Sequence, residues 1–396
     1  MSSLPLPCVK RVQQPLLISS AHKTLLLRCS KPGPPPDGIA SGLPRRGSGR
    51  DMGNSCSGFP SKGTGRDDSG NSCLTADSSP FLLGKAHDPA FKWTIYGFSA
   101  LFEREAIPAS SASFDCCGYK WSLQVTLMHR KSGTKVPYVA LCLTLSQSSL
   151  KPGYLMHALF ELSIYNHSNG SYCGCKARYD FDAKKFYSKN ECLITVEELL
   201  KSADFLVDDN CVFGVRILQA DVSPQNNLAV APDNTITIRE LFLQKKEFIK
   251  GNYTWNVNNF LALKESVLSP AFEACGHKWH IKMHPLGDQY STDSLSMYLQ
   301  MHDPAELSQE SGKMFEVTLS ILNQEQGQNY SRPGRLVFNG NLGWGWSDFI
   351  PLKILKDPSK GYLVASKWSV KADITCIGST NDVQTPLVAS LLKDEK

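Results

Sequence analysis

No window of the chain approaches the 18 consecutive apolar residues that a membrane-crossing helix needs, which excludes a helical span. No C-x-x-C pair occurs among the 13 cysteines; the nearest approaches are Cys116 beside Cys117, and Cys173 two residues before Cys175. Scattered and odd in number, they suit neither an even disulfide framework nor a four-cysteine zinc site, so a reducing, cytoplasmic setting is expected. A secretory h-region is also lacking, because Pro5, Pro7 and Pro15 interrupt each early apolar run. Residues 1–80 contain no Glu and, of the aromatics, only Phe59, beside ten Pro and ten Gly. Such a segment cannot bury enough apolar surface to offset its chain entropy and reads as disordered. It carries 10 Lys and Arg against 5 Asp, so the formal charge of +5 belongs to it and the remainder is balanced. Bulk electrostatics therefore makes no case for nucleic acid.

From Phe81 onward aromatics become frequent and apolar residues alternate with polar ones. Trp121, Leu123, Val125 and Leu127 interleave with Ser122, Gln124 and Thr126; Phe160, Leu162 and Ile164 interleave with Glu161 and Ser163. A period of two with one polar face is the pattern of antiparallel strands that cover a core on one side. The pattern occurs twice. Phe91, Trp93, Ile95 and Phe98 recur as Tyr253, Trp255, Val257 and Phe260; Phe114, Gly118 and Trp121 recur as Phe272, Gly276 and Trp279; Phe160, Leu162 and Ile164 recur as Phe315, Val317 and Leu319. The period is too long for a solenoid, so each copy is a whole domain of ordinary size. Seven or eight short strands and one short helix per copy point to an all-β fold of two tandem sandwiches. In the first copy the helix is expected from a capping box at Thr195 and Glu198. In the second, Ser347 is expected to cap a helix over residues 349–355. The boundaries are a head at 1–80, domains at 88–222 and 250–377, a connector at 223–249 and a tail at 378–396. Pro224 and Pro232 mark the start of the connector as loop, while residues 236–249 are apolar enough to dock on a neighbouring domain.

Both copies resemble the MATH family, the meprin and TRAF-homology sandwich, in its tandem, TRAF-like form abundant in plants. The resemblance rests on four ordered blocks, the last being Trp344, Gly345, Trp346 and Phe349. It implies a non-catalytic module that binds extended peptide segments of partner proteins along a sheet edge, often for ubiquitin-dependent turnover. In one adaptor of the family the groove is lined by five aromatics. Carried over by position, Trp344 and Trp346 match, whereas Ser294, Val317 and Leu336 stand where that adaptor has aromatics. Gly343 stands where an acidic residue precedes the tryptophan. The resemblance implies a groove with a different peptide preference, its ligand pairing with an open strand near Leu336 and Phe338. The first copy has Ser188 opposite Trp344 and reads as a degenerate or structural partner. Trp93, Trp121, Trp255 and Trp279 sit on the apolar phase of their strands and are expected in the core.

Other chemistry has thinner support. His277, His280 and His284, near Cys275, are the one metal-like cluster; on a strand the last two share a face that His277 does not, so no metal or cofactor is expected. No nucleophile motif frames any cysteine. A hydrolase or metalloenzyme with a Cys/His site stays the alternative from another class, and a self-associating structural protein the third. Without a heptad run, a monomer or weak dimer is expected. In the head, Met52, Gly53, Cys56 and Ser57 satisfy an acylation pattern, with Gly53 and Cys56 the lipid sites only if translation starts at Met52. That product would sit on a membrane surface. An acid-free stretch over residues 1–36 resembles an organellar transit peptide instead.

Overall fold

The structure is a computed structural model, and it describes residues 84–104, 106–223, 236–302, 311–325, 327–338 and 343–385. The head, with Gly53 and Cys56, lies outside the described residues. The first half supplies β1 (Gly84–Lys85), β2 (Phe91–Tyr96), β3 (Ala109–Ser110), β4 (Phe114–Cys116), β5 (Tyr119–Arg130), β6 (Pro137–Leu145), β7 (Leu155–Asn166), β8 (Ser171–Phe181), β9 (Glu191–Thr195) and β10 (Asn210–Ser223). After β11 (Ile236–Leu243) the second half supplies β12 (Lys250–Val257), β13 (Val267–Leu268), β14 (Phe272–Ala274), β15 (His277–His284), β16 (Ser294–Met301), β17 (Ser311–Ile321), β18 (Tyr330–Phe338), β19 (Trp344–Pro351) and β20 (Trp368–Thr385). Each half exceeds the expected strand count. The surplus strands are pieces of two or three residues (β1, β3, β4, β13, β14), too short for alternation to reveal.

Each half is a sandwich of two sheets. In the first, β1-β8-β7-β10-β2 lies against β3-β5-β6-β9, with β4 added to β5; in the second, β12-β20-β17-β18 lies against β13-β15-β16-β19, with β14 added to β15. Strands β2 to β10 thus correspond in order to β12 to β20. The duplication extends to single bonds. Phe114 faces Trp121 as Phe272 faces Trp279. The Trp121 indole donates to the Cys116 carbonyl at 3.0 Å, and the Trp279 indole to that of Ala274 at 2.9 Å. Both β4–β5 and β14–β15 turn through a cysteine and a glycine at positive φ, Cys117 with Gly118 and Cys275 with Gly276. Two left-handed residues are what a two-residue hairpin loop of the right twist requires.

The apolar phases fill one core per half. Trp93, Trp121, Phe160 and Phe213 anchor the first, and Trp279, Phe315, Phe349 and Trp368 the second. Trp255 departs from expectation: it is only half-buried. Its strand β12 has β20 as neighbour, whereas the equivalent β2 is flanked by both β10 and β11. The first helix, α1 (Val196–Lys201), starts as expected, with the Thr195 hydroxyl accepting from the Glu198 amide at 3.1 Å. The second does not begin at Phe349. Ile350 pairs with Leu295, so β19 continues to Pro351 and Ser347 is a buried strand residue; α2 is the short turn Leu352–Leu355.

Two seams join the halves. Strand β11 pairs in parallel with β2 and antiparallel with the C-terminal part of the 18-residue β20, which therefore serves both sandwiches. At the second seam β3 meets β18, with Ala109 opposite Arg335. The Arg335 side chain, 2% exposed, donates to Glu316 at 2.7 Å and to the Ile107 carbonyl at 2.9 Å. Arg104 reaches the same Glu316 at 3.1 Å. Met314, Val337 and Ile377 of the second half pack into the first core.

Candidate interaction cleft

The polar faces of two sheets, one from each half, open on a cleft of about 860 Å³. On β5 the side chains of Ser122 and Gln124 alternate with buried Trp121, Leu123 and Val125, and on β16 those of Tyr298 and Gln300 alternate with buried Met297, Leu299 and Met301. Thr144 of β6 and Lys282 of β15 add to the two walls, and Leu336, Val337, Gly343, Trp344 and Gly345 line the remainder.

The tryptophan motif is built by close backbone approach. Gly345 lies against β16, where a Cβ would come within 2.1 Å of the Met297 carbonyl oxygen. On either side of it, Trp344 and Trp346 share a face and touch, ring centroids 4.4 Å apart. The Trp344 ring reaches across to β18 and covers Gly334, the strand's contact point for the indole. Trp346 is 9% exposed and carries the Arg332 guanidinium over its ring at 5.0 Å. Arg332 also donates to the Asp348 carbonyl and carboxylate.

The expected site residues separate into two groups. Trp344 is half-buried and Gly343 exposed, and together with Leu336 (3% exposed) they line the cleft. Val317 is fully buried in the second core. Ser294 is buried opposite Pro351, seven residues along β19 from Trp344, which is about 23 Å of extended chain. The strand near Leu336 and Phe338 is not open along its length, because β3 occupies its outer edge at Arg335. The terminal strand of the opposite sheet is β19, which among the described residues pairs only with β16. In the first half, Ser188 faces no groove: its hydroxyl accepts from the Leu143 amide at 2.9 Å, and the Cys142 thiol donates to its carbonyl. Burial pushes that thiol up to about 11.

The histidines follow strand alternation. His277 is buried, with the Lys313 ammonium at 3.0 Å, while His280 and His284 face outward. His280 Nε2 and His302 Nδ1 are 2.7 Å apart. Among the described residues no three His, Cys, Asp or Glu side chains converge as a metal site. Burial, then the nearby Lys282 charge, holds the His284 imidazole below its ordinary value. No helix among the described residues is long and apolar enough to cross a membrane.

The first-half wall was not foreseen as part of a site. Its signal lay in the polar phase of residues 122–126, a pattern that equally suits a face turned to solvent.

Comparison with known proteins places these observations in context. The family model for the MATH domain matches residues 90–217 and again residues 252–374. Ubiquitin C-terminal hydrolase 12 of Arabidopsis thaliana is 33% identical over 125 residues, 31% of this chain and 11% of that protein. A MATH domain and coiled-coil domain-containing protein of the same plant is 31% identical over 133 residues, 33% of this chain and 40% of that one. TNF receptor-associated factor homolog 1b, also from Arabidopsis thaliana, is 29% identical over 123 residues, 28% of this chain and 11% of its own length. The chain thus spans well under half the length of these relatives.

Proposed function

Because the chain belongs to the MATH domain family, with a copy in each half, we propose that it is a non-catalytic adaptor that grips extended segments of partner proteins. One observation carries the reading: β19 ends its sheet without a second neighbour among the described residues, and its first residues line a cleft beside the half-buried Trp344. An open strand offers a row of backbone donors and acceptors to any extended chain, and neighbouring pockets then select side chains. Open edges otherwise invite aggregation, so one left open in a cleft suits a strand that is completed on binding. Trp344 supplies the apolar contact and Trp346, packed beneath it, fixes its orientation. Two of the relatives are named ubiquitin C-terminal hydrolases, which supports placing the partners among proteins under ubiquitin-dependent turnover.

The test begins by selecting binders to the full chain from a displayed library of random peptides of about a dozen residues. The selected peptides are then measured on Trp344→Ala. A loss of affinity of roughly tenfold or more, the scale of a central aromatic contact, measured under conditions where the variant is folded, supports the reading. Peptides indifferent to the substitution contradict it.

A further inference from the structure

We propose that the segment paired with β19 is read from both sides: the first half forms the opposite wall of one composite site, and the occupant is an extended peptide of uncharged, hydroxyl- or amide-bearing residues. This rests on the reading of β19 as the pairing edge.

The walls differ in origin but agree in chemistry. Ser122, Gln124 and Thr144 face the cleft from the first half, and Tyr298 and Gln300 from the second. Hydroxyls and carboxamides both donate and accept, so they match peptide groups and uncharged polar side chains without a counter-charge. Of the charges lining the cleft, Lys120 pairs with Asp115 at 3.4 Å and Asp288 accepts from the Tyr298 hydroxyl at 2.5 Å, which leaves Lys282 on the second-half wall as a partner for at most a single acidic group. A highly charged ligand would lose its hydration and find few partners.

The geometry is held in advance. The pairing of β3 with β18 and the Arg104–Glu316–Arg335 cluster fix the two halves beside the cleft. At β19 the Gln147 carboxamide of the first half reaches the Ser347 hydroxyl at 3.4 Å. A preformed slot spares its ligand the cost of ordering the walls. The loss of the aromatic pair in the first half fits this division of labour: one half keeps the pairing edge and the other presents a polar face.

The experiment takes the library-selected peptides to two variants of the full chain, Ser122→Arg, which places bulk and charge on the first-half wall, and Gln124→Glu, which is nearly isosteric, adds charge and turns the donor to the Ser110 hydroxyl into an acceptor that this hydroxyl can rotate to meet. The inference expects the selected pool to be depleted in charged residues and expects Ser122→Arg to weaken binding roughly tenfold or more. Gln124→Glu should weaken it several-fold at unchanged thermal stability, which keeps the test decisive if the arginine variant misfolds. Binding lost in Trp344→Ala but intact in Gln124→Glu and in folded Ser122→Arg would overturn the composite site and leave the adaptor reading standing. Binding indifferent to all three would overturn both.

Discussion

Gly334→Ala tests the packing that holds Trp344 at the cleft. A Cβ on Gly334 would sit 2.2 Å from Trp344 Cη2 and 2.6 Å from Cζ2, so the indole must swing away or β18 must shift. Swinging away breaks the contact with Trp346 at 4.4 Å, an aromatic pair worth about 0.5–1.5 kcal/mol beyond its burial. Overpacking of this kind typically costs about 1–3 kcal/mol. Against it, alanine restricts the unfolded chain and returns about 0.4–1 kcal/mol, because Gly334 is not among the residues at positive φ. The net expectation is a destabilisation of about 1–2 kcal/mol. Denaturant unfolding of the full chain, followed by tryptophan fluorescence, measures it as a double-mutant cycle with Trp344→Ala. Once the indole is gone, Gly334→Ala should become neutral or slightly stabilising, a coupling of about 2 kcal/mol. Equal destabilisation in both backgrounds would refute the contact, and with it the placement of Trp344 across β18.

Three further expectations follow from the seams, the cap and the cleft. Arg335→Ala removes one partner of a buried cluster; because Glu316 keeps Arg104, the cost falls at the lower end for broken buried pairs, about 3 kcal/mol, and calorimetry should find a melting temperature lower by on the order of 6 °C. Thr195→Ala removes the cap of α1 and should cost about 1 kcal/mol in denaturant unfolding, with Thr195→Ser nearly neutral. The folded state favours neutral His284, so its contribution is complete above the ordinary value of 6.5 and is lost as pH falls through that value toward the lowered folded one. Melting curves at pH 7 and pH 5 should therefore converge in His284→Gln relative to the unmodified chain.

Strand alternation and internal repetition made the two sandwiches legible, because a half-buried strand writes its inward face into every second residue. Buried Trp93, Trp121 and Trp279 were readable in this way. Trp255 was not, since the exposure of an edge strand depends on whether a neighbour such as β11 arrives from far along the chain. The same reasoning covers β19. Ser347 reads as a cap for a helix over residues 349–355, and the pairing of Ile350 with Leu295 of β16 overrides it. Trp344 and Trp346 could be singled out as one patch because i and i+2 share a face. Their setting could not, because it depends on Arg335 meeting residues 107–109 of the other half. Ser122 and Gln124 look like any solvated face until a second sheet is placed opposite them.

The most direct test of strand completion at β19 is amide hydrogen exchange of the full chain, with and without a bound library-selected peptide. The account predicts slowed exchange within residues 343–348, with the buried strands β7 and β17 unchanged. Protection confined to other edges, such as β9 or β12, while residues 343–348 exchange as freely as before, would contradict it.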